Sequence, residues 1–123
     1  MIKAIAIDDE PLALKVLENF CASSDGVELE KTFTEVGKAY TYLEKHQVDL
    51  IFVDIQMPVM NGFDFMESFE QMPAEVKTHY VIYMLSSSIN ENDIAKVRGY
   101  PSVKQFLNKP LTVKTMSMVL EDN

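Results

Sequence analysis

Leu50-Ile51-Phe52-Val53-Asp54-Ile55-Gln56-Met57-Pro58 decides the fold. Four apolar residues in a row, with no polar alternation, read as a strand buried on both faces, which only a parallel sheet covered by helices provides. The run stops at a carboxylate, and Met57-Pro58 and Asn61-Gly62 then mark a loop before a helix carrying Phe65, Met66, Phe69 and Met72. Working outward, the same alternation of short apolar runs and longer stretches with a period near 3.6 recurs along the chain. Lys3 to Ile7 is a first strand, and Pro11 fits the first turn of a helix with Ala13, Val16, Leu17, Phe20 and Cys21 on one face. Val27, Leu29 and Phe33 alternate with Glu28, Glu30 and Thr32, as in a half-exposed edge strand protected by its charges. Val36, Ala39, Tyr40 and Leu43 form a second helix face.

Beyond the central strand, Tyr80 to Leu85 is a fourth strand, Asn90 to Arg98 a weakly amphipathic helix, and Val103 to Leu107 a fifth strand. Thr112 is placed as the N-cap of a last helix using Val113, Met116 and Leu120. Five strands interleaved with five helices predict an α/β fold: a doubly wound parallel sheet of order 2-1-3-4-5 between two helix layers. In such a three-layer sandwich the crevice opens beyond the carboxyl ends of the strands, where the winding reverses between strands one and three.

Composition narrows the function. The 123 residues suit one domain, spanning 1–123, and 47% hydrophobic content is enough for a core. With 19 Asp and Glu against 11 Lys and Arg, the net charge of −8 excludes direct binding to a phosphate backbone, which needs clustered cations. The longest apolar runs fall far short of the roughly 18 residues of a spanning helix. The first residues show no leader pattern, and Cys21 is a lone thiol, so a cytoplasmic protein is expected. His46 and His79 are isolated and read as surface or edge residues rather than metal ligands.

The strand ends carry the chemistry. Asp8, Asp9 and Glu10 follow strand one, Asp54 strand three, Ser86 to Ser88 strand four, and Lys109 strand five. Taken singly, each has an ordinary explanation: capping for the acidic pair, turn chemistry for the serines, a solvated surface for the lysine. Together they converge on one crevice. Three neighbouring aspartates repel unless a cation bridges them, and Mg²⁺ takes hard oxygen ligands while leaving room for a phosphate. An Asp nucleophile forming an acyl phosphate needs that charge neutralisation more than acid–base help, and Lys109 and Ser86 would supply donors to phosphoryl oxygens.

In that order and spacing, Ala6-Ile7-Asp8-Asp9-Glu10-Pro11, Val53-Asp54-Ile55-Gln56-Met57-Pro58 with Asn61-Gly62, Met84-Leu85-Ser86-Ser87 and Phe106-Leu107-Asn108-Lys109-Pro110 carry a resemblance. The chain resembles the receiver domain of bacterial two-component response regulators, the CheY-like family with its flavodoxin-like fold. The resemblance covers essentially the whole chain. It implies that Asp54 accepts a phosphoryl group from a partner histidine kinase or histidine phosphotransfer protein. Asp8, Asp9, Asp54 and the backbone carbonyl of Gln56 would hold Mg²⁺, Lys109 would pair with the phosphoryl group and be joined to Pro110 by a cis bond, and Ser86 and Phe106 would be the switch pair. The 90–120 surface would meet a downstream protein target or support phosphorylation-dependent dimerisation. With no output domain expected in 1–123, the chain reads either as a stand-alone receiver or as one cut from a longer regulator or hybrid kinase. It further implies a signalling module that catalyses only its own phosphorylation and dephosphorylation. Gly99-Tyr100-Pro101-Ser102 departs from the Gly-Ala pair that often leads into the fifth strand. A phosphohydrolase of the haloacid-dehalogenase type would want an Asp where Gln56 stands, and a flavin or nucleotide domain would want a Gly-rich loop where Asp8-Asp9-Glu10 stands.

Overall fold

The central apolar run forms β3 (Leu50–Asp54), and every one of its residues is buried. The computed structural model describes residues 2–24, 26–55, 62–86, 91–109 and 111–121. Around β3 lie β1 (Ile2–Ile7), β2 (Val27–Phe33), β4 (Val81–Ser86) and β5 (Val103–Asn108), all parallel and ordered β2-β1-β3-β4-β5. The helices are α1 (Pro11–Ala22), α2 (Val36–Lys45), α3 (Gly62–Phe69), α4 (Ala74–Lys77), α5 (Glu91–Arg98) and α6 (Val113–Glu121). The single turn α4 is an addition to the five expected helices; four residues are too few to show a 3.6-residue period.

Because β3 is covered on both sides, its side chains divide between two cores. Leu50 and Phe52 join Leu14, Leu17 and Cys21 of α1 and Met116 and Val119 of α6. Ile51 and Val53 join Val36 and Ala39 of α2, Phe63, Phe65, Met66 and Phe69 of α3, and Val97 of α5. Each face is thus one helix layer, as expected of a three-layer sandwich.

Three expected faces are corrected. In α1 the buried stripe is Leu14, Leu17 and Cys21, whereas Val16 is exposed and Ala13 and Phe20 lie at the margin. In α6, Met116 and Val119 are buried and Val113 is 74% exposed. In β2 the pairing with β1 slips between Ala4 and Ile5, skipping Glu30. That extra residue reverses the alternation, so Val27 and Leu29 face the α1 side and Phe33 the α2 side. Thr112 does cap α6, its Oγ1 accepting the Thr115 N–H at 3.1 Å. No helix among the described residues is long and apolar enough to cross a membrane.

Candidate functional site

The register of the sheet brings the polar strand ends to one edge. Pairing of Ile7 with Val53 sets Asp8 and Asp9 beside Asp54, and pairing of Asp54 with Leu85 sets Ser86 one step beyond. Main-chain hydrogen bonds carry the strands past their last ladder pairs: Asp8 N–H to the Phe33 carbonyl at 2.9 Å, Ile55 N–H to Leu85 at 3.0 Å, and Lys109 N–H to Ser86 at 2.8 Å. The backbones bearing Asp8, Asp54, Ser86 and Lys109 are therefore fixed to one another rather than hung on loops.

The side chains converge accordingly. One carboxylate oxygen from each of Asp8, Asp9 and Asp54 falls within a 4.8 Å cluster. Asp8, Asp54 and Ser86 are buried, and Asp9 is half-buried with its Oδ1 shielded from solvent and lacking a hydrogen-bond donor among the described residues. Lys109 crosses from β5 to meet this charge, its Nζ 2.7 Å from Asp8 Oδ2 and 3.5 Å from Asp54 Oδ1. The other Asp8 oxygen accepts the Glu10 N–H at 3.0 Å. Burial alone works against the Lys109 ammonium, but its hydrogen bond to Asp8 and the charges of Asp54 and Asp8 outweigh that and raise its pKa above the ordinary 10.5.

One ammonium faces three clustered carboxylates, and a buried carboxylate oxygen on Asp9 has no donor among the described residues. This donor set is all oxygen and all hard, and fits a divalent cation of the Mg²⁺ kind. Gln56, Ser87, Ser88 and Pro110 lie outside the described residues. Phe106, on β5, is half-buried and packs against the aromatic core beside Met84, its partner across the ladder.

Sequence reasoning read Gly62 only as part of a turn. In the structure it opens α3 directly against the strand end: a Cβ there would lie 2.7 Å from the Asp54 carbonyl oxygen and 3.0 Å from the Ile55 Cα. The Asn61-Gly62 pair was the available signal, but it does not say which backbone comes close.

Residues 4–121 match the family model of the response regulator receiver domain. The chain belongs to this family. Its sheet order and helix layers are those of a receiver domain of two-component signalling. Among curated proteins it is 30% identical over 110 residues to a protein-glutamate methylesterase/protein-glutamine glutaminase of Methanococcus maripaludis, covering 89% of this chain and 29% of that protein. It is 25% identical over 122 residues to the transcriptional regulatory protein MalR of Bacillus subtilis, covering 99% of this chain and 50% of MalR. The receiver domain thus spans half or less of the length of these two relatives. Among solved structures, a two-component response regulator from Cytophaga hutchinsonii superposes with a TM-score of 0.90 at 24% identity, covering 99% of this chain and 96% of that one.

Proposed function

We propose that this receiver domain is a phosphoacceptor switch in which Asp54 takes a phosphoryl group from a phosphohistidine of a sensor kinase or phosphotransfer protein. The observation that carries the reading is the meeting of three carboxylates with Lys109 at the carboxyl edge of the sheet. A carboxylate oxygen of Asp54 attacks phosphorus, the phosphorus–nitrogen bond breaks, and the imidazole leaves with a proton; nothing is oxidised or reduced. Asp8, Asp9 and Asp54, with the Gln56 carbonyl, would hold Mg²⁺, which when bound neutralises charge on the phosphoryl oxygens. Lys109 exchanges its contact with Asp54 for one with the new phosphoryl oxygens. Its backbone stays bonded to Ser86, so only the flexible stem moves. Ser86 donates to the phosphoryl group and Phe106 follows, and only such differential contact shifts a population of conformers.

The reading extends to a protein target or a second copy meeting the 90–120 surface, to 1–123 forming one receiver domain, and to a cytoplasmic setting. Incubation with Mg²⁺ and labelled acetyl phosphate tests it. The wild type takes up label that strong chelator prevents without unfolding the chain, and Asp54→Asn takes up none. Undiminished labelling of Asp54→Asn overturns the assignment.

A further inference from the structure

The departure at Gly99-Tyr100-Pro101-Ser102 has a structural counterpart on α3. Phe63, Glu67 and Glu70 recur at i, i+4 and i+7, so they share one stripe of α3 and its C-terminal turn. That stripe faces the segment joining α5 to β5. Phe63 stacks on Tyr100 with ring centroids 6.2 Å apart, and Lys96 Nζ of α5 lies 4.5 Å from the Phe63 centroid. The Tyr100 hydroxyl donates to Glu67 Oε1 at 2.8 Å. Glu70 accepts twice from Ser102, from its N–H at 3.0 Å and its Oγ at 2.7 Å. Glu70 is itself held by Lys77 of α4, whose Nζ lies 3.2 Å from its carbonyl and 3.7 Å from its carboxylate. These are charge-assisted bonds, and apart from the exposed Glu67 their partners are half-buried or better, the kind that fixes geometry.

The other end of α3 abuts the strand that carries the candidate phosphoacceptor, since Gly62 has no space for a Cβ against the Asp54 carbonyl. We infer that Glu67 and Glu70 are positioning residues which tie the α5–β5 segment to α3, so that α3 and α5 open as one body and α3 belongs to this domain's readout surface. Motion at Asp54 then reaches α5 by a second route besides Ser86 and Phe106. That functional consequence rests on the reading of Asp54 given above; the tie itself does not.

Native-state hydrogen exchange on the full chain tests the tie. In the wild type, α3 and α5 amides exchange through a common opening. In the double variant Tyr100→Phe, Ser102→Ala, α5 loses protection by roughly 10-fold or more, as expected for hydrogen bonds to charged acceptors, while α3 does not follow. Tyr42→Phe is the control, deleting a similar bond from Tyr42 to Glu30 on the α2 side; there α3 and α5 shift together. Independent opening in the wild type, or an unchanged double variant, overturns the inference. A second arm adds Mg²⁺ and beryllofluoride, a phosphoryl mimic. Amide shifts in α5 that shrink in the double variant while those in α3 and at Ser86 persist support the second route. Shifts at Ser86 with none in α3 of the wild type overturn it. Silence at Ser86 as well overturns the phosphoacceptor reading, and the exchange arm still decides the tie.

Discussion

The two helix layers cover the same sheet but are built differently. The buried residues of α1 and α6 are Leu14, Leu17, Cys21, Met116 and Val119, and the buried rings on that side, Phe52 stacked with Tyr83 at 5.9 Å, belong to the sheet. The α2, α3 and α5 layer is aromatic: Phe65 stacks on Phe69 at 5.9 Å and tilts against Tyr40 at 5.0 Å, and Phe69 meets Tyr80 edge-on at 6.1 Å. Hydrogen bonds from Tyr40 to the Phe65 carbonyl and from Tyr100 to Glu67 run through the same layer. Rings with polar handles have few satisfactory arrangements, because both the ring contact and the hydrogen bond must be met at once. The layer of α2, α3 and α5 is therefore the one with few, discrete arrangements open to it.

The sharpest way to break the contrast is to truncate one buried side chain in each layer. Phe65→Ala is expected to cost about 4 kcal/mol and Leu17→Ala about 3 kcal/mol in urea unfolding, the aromatic site losing its ring pairs as well as its buried area. Equal costs would mean that the aromatic contacts add nothing beyond burial. Gly62→Ala comes next, at about 2 kcal/mol, because the new Cβ meets backbone atoms of Asp54 and Ile55 that cannot step aside. The same variant should slow labelling by acetyl phosphate, since the strain falls on the Asp54 peptide. Lys109→Met removes the cation that competes for the clustered carboxylates. Its Mg²⁺ affinity by calorimetry should rise roughly 10-fold, or about 1.4 kcal/mol, with phosphorylation impaired; weaker binding would show that the lysine helps hold the ion.

The smallest effect separates the layers by pH. Burial pushes the Cys21 thiol up to about 11 from an ordinary 9.0. Burial, partly offset by a hydrogen bond from Ser68, pushes Tyr40 up to about 12 from 10.0. Both groups are favoured neutral in the folded chain, so their contribution is complete below their unfolded values and is lost as pH rises through the folded ones. The Cys21 part should fade between about 9 and 11 and the Tyr40 part between 10 and about 12. A scan of stability against pH for Cys21→Ala and wild type, with tyrosine ionisation followed by ultraviolet absorbance, would show the α1 and α6 layer responding first.

Much of this was legible in the residues. The unbroken run at Leu50 to Val53 could only be a doubly covered strand, and from it the sheet order and the edge that gathers Asp8, Asp9, Asp54, Ser86 and Lys109 followed. What escaped was set by geometry without a period. One skipped residue at Glu30 turned Phe33 to the opposite face, though the sequence alternates cleanly through it. Val16 and Val113 are apolar at helical spacing, yet nothing in that spacing says where a stripe's margin meets solvent. The contacts of Tyr100 and Ser102 with Glu67 and Glu70 join residues 33 and 32 positions apart, and no local pattern announces them.

The ion pair of Lys109 with Asp8 joins residues 101 positions apart. Chain closure of that length is entropically slow, and a ribosome delivers the partners in fixed order. A nascent chain therefore exposes Asp8, Asp9 and Asp54 to one another well before its own counter-charge has been made. Until β5 emerges that excess of charge stands without Lys109, so the last strand to be made is the one that completes the charge balance of the first three.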